Sequence, residues 1–141
     1  MDYAEIQLTE HFTLGEFAVS REFPEMADAV GFSDVEVERV RFVCGAYLQP
    51  LRNALGPVIV TSGKRTPELN AAVGGHPRSD HLYRGDSGAV DFVVPGKEPI
   101  QVARWLRRHA TFKLLIVYPT FCHLSFPDSS GRYGEVVKKN S

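Results

Sequence analysis

The sequence predicts an α+β domain in which N-terminal helices pack on a small, mostly antiparallel sheet. Three observations predict it. Capping signals and helical spacing crowd the first half of the chain. Short apolar runs bounded by turn residues dominate the second half. Helices first and strands later is the order of an α+β fold rather than of a parallel α/β one. The 141 residues suit a single domain, 1–141, with an extended tail from about residue 127.

The elements follow in order. "FTLGEFAVS" places Thr13 three residues before Glu16, a capping box for a short helix. "FSDVEVERVRFVCGAYLQPLRNALG" repeats that signal with Ser33 and Glu36. Val40, Val43, Cys44, Tyr47, Leu48, Leu51 and Leu55 then recur at helical spacing. Pro50 is expected to kink or split this helix, and Gly56 to stop it. "PVIVTS" reads as a buried strand. "RTPELNAAVGG" has Thr66 as cap, Pro67 at the first helical position and a Gly-Gly stop. "AVDFVV" is a second strand, and "PIQVARWLRRHA" an amphipathic helix with Ile100, Val102, Ala103, Trp105 and Leu106 facing the core. "FKLLIVY" and "FCHLSF" complete the sheet.

Composition narrows the function. A net charge of -1 gives no electrostatic basis for nucleic-acid or anionic-membrane binding. No apolar run reaches bilayer-spanning length, and "MDYAEIQLTEHF" lacks the basic and apolar regions of a signal peptide, so synthesis without one is expected. Cys44 and Cys122 are too few for a disulfide scaffold and fall at core-facing positions, as small apolar residues do. His109, at a helix end, faces the C-terminal dipole.

The chemistry concentrates on two strands. In "AVDFVV" the two-residue period separates Val90, Phe92 and Val94 from Ala89, Asp91 and Val93. In "FCHLSF" it separates Cys122, Leu124 and Phe126 from Phe121, His123 and Ser125. Each strand therefore carries one metal-capable side chain opposite its most apolar set, and His81 lies in the loop feeding the first. Two histidines and a carboxylate match a catalytic zinc site that keeps a position for water. The residues alone leave open a carboxylate held by an arginine and a histidine satisfied in the core.

"VTSGKRTPELNAAVGGHPRSDH" and "FKLLIVYPTFCHLSF" resemble the M15 family of zinc peptidases, which includes D,D-carboxypeptidases and phage or bacterial peptidoglycan endopeptidases. "LTEHFTLGEFAVS" and "LQPLRNALG" resemble the subgroup carried by many phages, so the likeness runs from about Leu8 to Phe126. It implies the Hedgehog-like D,D-peptidase fold, with Zn2+ as cofactor and His81, Asp91 and His123 as its ligands. It implies Arg65 as a cation facing substrate, against the plainer pairing with Glu68, and Ser79 as a residue that shapes the ligand loop and lines the substrate site. Asn70, Gly74 and Gly75 match positions that serve a helix end and a tight turn.

Two departures stand out. Nine residues, "LYRGDSGAV", separate His81 from Asp91 where the family has six, as if three had been added around Arg84 to Ser87. The acidic general base expected three residues before the last histidine is Thr120 here, and no acid lies between Glu98 and Asp128. Asp86 and Asp80 are the candidate replacements. The resemblance implies hydrolysis of peptide bonds in peptidoglycan stem peptides or cross-bridges, at the cell wall or from a phage particle. The two departures favour a rival: an impaired M15-like domain that binds cell wall or serves as a virion component among other virion proteins.

Overall fold

A computed structural model of the chain describes residues 5–85, 87–110 and 112–126, and the backbone of 136–138. A small hairpin, β1 (Gln7–Thr9) with β2 (Phe12–Thr13), runs into a 3-10 turn at Leu14–Phe17, closed by the Thr13/Glu16 capping box. Helices α1 (Pro24–Ala27), α2 (Asp34–Val43), α3 (Gln49–Leu55), α4 (Pro67–Ala72) and α5 (Pro99–His109) are joined with strands β3 (Ile59–Ser62), β4 (Ala89–Val93), β5 (Leu114–Val117), β6 (Cys122–Ser125) and β7 (Val136–Lys138). The large sheet has the order β3-β4-β6-β5-β7, antiparallel except for the β5–β7 pair. No helix among the described residues is long and apolar enough to cross a membrane.

Local chemistry accounts for the element ends. The Ser33 hydroxyl accepts from the Glu36 amide at 3.2 Å while Glu36 accepts from the Ser33 amide at 2.8 Å. Thr66 caps α4 through the Leu69 amide at 3.1 Å, with Pro67 in the first turn. The break expected at Pro50 lies one turn earlier, as a π-helical turn over Cys44–Leu48. Pro50 has no N–H for the Ala46 carbonyl, and its ring would clash there. The wider turn, in which Gln49 N–H reaches the Cys44 carbonyl, relieves this without splitting the helix.

One face of the sheet is apolar. Val90 pairs with Leu124 and Leu124 with Leu115; Phe92 pairs with Cys122 and Cys122 with Val117. All six are buried in a core shared with Leu48 and Leu51, with Val102 and Leu106 of α5, and with Phe12 and Phe17 of the N-terminal turns. Burying each large side chain of this kind contributes roughly 1.5–3 kcal/mol. The other face carries Asp91, His123 and Ser125. Beside it, a second cluster of Ala27, Val30 and Leu69 holds α1 against α4. The tail read from about residue 127 lies outside the described residues apart from β7, a strand that the sequence patterning does not single out.

Candidate metal centre

The sheet register assembles two of the three expected ligands. Asp91 on β4 stands directly opposite His123 on β6, on the face turned away from the core. His123 Nδ1 lies 2.8 Å from Asp91 Oδ1, and its Nε2 lies 2.9 Å from the Ser125 hydroxyl. Ser125, two residues along the same strand, is thus on the same face and fixes the ring's rotation.

His81 arrives from a 3-10 turn at Asp80–Leu82. The Ser79 hydroxyl accepts from the His81 amide at 3.2 Å and starts that turn. Tyr83 ends it in the left-handed region at φ 58°, and the Arg65 amide donates to the His81 carbonyl at 2.7 Å. The buried His81 ring donates Nδ1–H to the Gly63 carbonyl at 2.7 Å and points Nε2 at Asp91 Oδ1, 3.2 Å away. One ligand atom from each of His81, Asp91 and His123 lies within 4.8 Å of the others.

This donor set fits a metal ion. With the His81 proton on Nδ1, the neutral ring presents a lone pair at Nε2 toward a carboxylate oxygen. Two acceptors so placed need a cation between them, either a metal or an added proton. Burial by itself raises the Asp91 pKa, but in the metal-free chain an added proton on the facing His81, by its charge, and the hydrogen bonds that His123 and His81 then donate outweigh it. The carboxyl is held well below the usual carboxylate range, in its ligating form. Oδ1 is shared by both histidines, whereas Oδ2 is 3.9 Å from Arg65 Nη2, a looser contact than a carboxylate held chiefly by arginine would make.

Arg65 faces the site rather than Glu68. Its Nη1 donates to Asn70 Oδ1 at 3.1 Å, and Asn70 Nδ2 donates to the His76 carbonyl at 2.9 Å. Asn70, buried within α4, therefore aims the guanidinium as well as closing the helix end. Gly75 packs against it too closely for a side chain: a Cβ there would lie 2.8 Å from Asn70 Cγ. Burial draws the Arg65 pKa down, while Asp91 first, then Glu22 and Tyr118, draw it back. Arginine stays charged under such opposing influences.

Two clefts meet at Arg65, Asp91 and Phe121. The larger, about 460 Å³, also takes in His81, His123 and Ser79. The smaller, about 350 Å³, is lined by Ser20, Arg21, Glu22, Ser62 and Thr120. Tyr118 stacks on Phe121 (4.4 Å, 13°) and lines the larger cleft. Burial, then the Asp91 charge, pushes its phenol pKa up against the effect of Arg65. Asp80 is tied to Lys113 Nζ at 2.8 Å. Asp86 lies outside the described residues. Both cysteines are buried, and burial pushes their thiols up, Cys122 to about 12, which leaves them unreactive as nucleophiles.

Comparison with known families decides the relationship. The Peptidase M15 family model matches residues 10–125, which include all three candidate ligands. The chain belongs to the Peptidase M15 family. Comparison with curated proteins gives no match. M15 peptidases are zinc-dependent, and the His-Asp-His group of this chain is a set that can hold a metal. With nine residues between His81 and Asp91, the three candidate ligands still come together. Glu22, Tyr118 and the aiming role of Asn70 were not identified as site features from sequence. Glu22 sits in "SREFPE" with no motif around it, and only the chain's folding brings it to the cleft of Thr120.

Proposed function

We propose that this M15 chain is a zinc metallopeptidase that hydrolyses peptide bonds in bacterial peptidoglycan, in stem peptides or cross-bridges. The observation that carries the reading is the convergence of His81, Asp91 and His123 on the larger cleft. Zinc held by three such ligands supplies an activated water and polarises a carbonyl. Arg65, aimed by Asn70, orients the substrate by donating to a peptide carbonyl oxygen or a carboxylate. The Tyr118–Phe121 pair offers a flat apolar wall to the substrate backbone. Thr120 cannot accept a proton as a carboxylate does. Among the described residues, Glu22 is the acid that shares its cleft with Arg65 and Asp91 and is not tied to a lysine, so it takes the role of base. Delivery by a phage, from the lysing host or from the particle, is the route to the cell wall that this reading carries.

Release of soluble muropeptides from purified sacculi tests this reading. The wild-type protein releases them and His123→Ala does not. A second reading rests on Thr120: an impaired M15 domain that binds cell wall as a virion component. Sedimentation with sacculi by a zinc-loaded protein that releases nothing would favour it.

A further inference from the structure

The connection between His81 and Asp91 receives three hydrogen bonds from one residue outside the site. Arg39 projects from α2 to three carbonyls of this loop. Its Nη1 donates to Tyr83 at 3.2 Å and to Ser87 at 3.1 Å, and its Nη2 donates to Gly85 at 2.6 Å. Three alternate carbonyls turned toward one guanidinium describe a loop wrapped around a fixed cation. Its ends are fastened separately. Tyr83 is buried edge-on against Phe126 and donates its hydroxyl to the Ala89 carbonyl at 3.2 Å. Gly88 lies so close to the Phe126 ring that a Cβ would come within 2.6 Å, while its carbonyl accepts from the Phe126 amide at 2.8 Å. Arg39 thus holds the middle of the loop whose ends carry His81 and Asp91.

We propose that Arg39 is a positioning residue for the metal centre, holding Tyr83, Gly85 and Ser87 of the connection in the arrangement that presents His81 and Asp91 to the same ion. The inference rests on the metal-site reading above. Arginine suits the task because its planar fork reaches several carbonyls at once. A lysine ammonium is a single point that satisfies part of the set. Without the clamp, the Tyr83, Gly85 and Ser87 carbonyls turn to water, and the loop gains conformations in which the two ligands are apart.

The test compares wild type, Arg39→Lys and Arg39→Ala. Zinc affinity is measured by competition with a chromophoric chelator, and the Co2+-substituted d–d spectrum is recorded. Both are taken at a temperature where each variant is folded by circular dichroism. Arg39→Ala is expected to lose about 10–100-fold in zinc affinity, as other losses of support around metal ligands do, and to broaden the cobalt bands. Arg39→Lys, the variant that best keeps the fold, is expected to recover only part of this. Zinc affinities within about twofold of wild type with an unchanged cobalt spectrum, even if thermal stability falls, would overturn the proposal and leave the metal site standing. A wild-type protein that binds no zinc would overturn the site reading itself and the inference with it.

Discussion

Gly63→Ala tests how closely the histidine ligand depends on the backbone behind it. A Cβ built on Gly63 overlaps the Phe17 carbonyl oxygen and lies 2.6 Å from its carbonyl carbon and 2.7 Å from its Cα. These are backbone atoms of the 3-10 turn, so no rotamer change relieves them. Restoring the contact with the carbonyl carbon to an ordinary 3.4 Å needs 0.8 Å of movement, the difference between the two distances. The same glycine's carbonyl accepts from His81 Nδ1 at 2.7 Å, so a shift of that size at Gly63 carries the bond to the limit of hydrogen-bonding distance. Overpacking costs about 1–3 kcal/mol of stability. Loss of the acceptor that sets the His81 tautomer costs about 10–100-fold in zinc affinity. Thermal unfolding with and without chelator measures the first, and chelator competition the second. A Gly63→Ala protein that binds zinc as tightly as wild type would refute the claim that this carbonyl sets the ligand.

Asp91 gives a pH prediction. Its folded pKa is depressed, so its contribution to stability is present above the unfolded value near pH ~4 and is lost as pH falls toward the folded value. Metal-free wild type should therefore lose stability between about pH 4 and 2 more steeply than Asp91→Asn, as read from unfolding midpoints. Identical acid limbs would contradict this. Arg65→Lys removes the fork that spans Asn70 and Asp91. Loss of one charged hydrogen bond, about 1.5–3 kcal/mol, predicts a fall of about 10- to 100-fold in kcat/KM on sacculi at unchanged zinc content. Glu22→Gln should lower turnover by about 10²–10⁴-fold without altering zinc content; an unchanged rate would remove Glu22 as the base.

The sheet, and the placement of Asp91 and His123 on its polar face, are legible because period-two patterning is a local signal. The alternation in "AVDFVV" and "FCHLSF" already separates Asp91 and His123 from the apolar face, and the register then sets them opposite one another. His81 is in a single 3-10 turn, too short for a periodicity to read, so only the surrounding motif marks it. Pro50 announced a disturbed helix but not its form, since the cost of its missing N–H is met one turn earlier. Arg39 and Glu22 carry no sequence signal for a common reason. Arg39 meets Gly85 across 46 positions in sequence, and Glu22 shares a cleft with Thr120 only through the folding of the N-terminal segment onto the sheet. An arginine on a helix or a glutamate in a loop carries no local mark of such a contact.

The central claim is that His81, Asp91 and His123 form one metal centre. Metal analysis of the purified chain by inductively coupled plasma mass spectrometry tests it most directly, with His123→Ala measured beside it. The account predicts about one zinc per wild-type chain and a folded His123→Ala protein that retains little, because three protein ligands define such a site. A wild-type chain that purifies without metal, takes up none from added zinc and unfolds identically with and without chelator would contradict it.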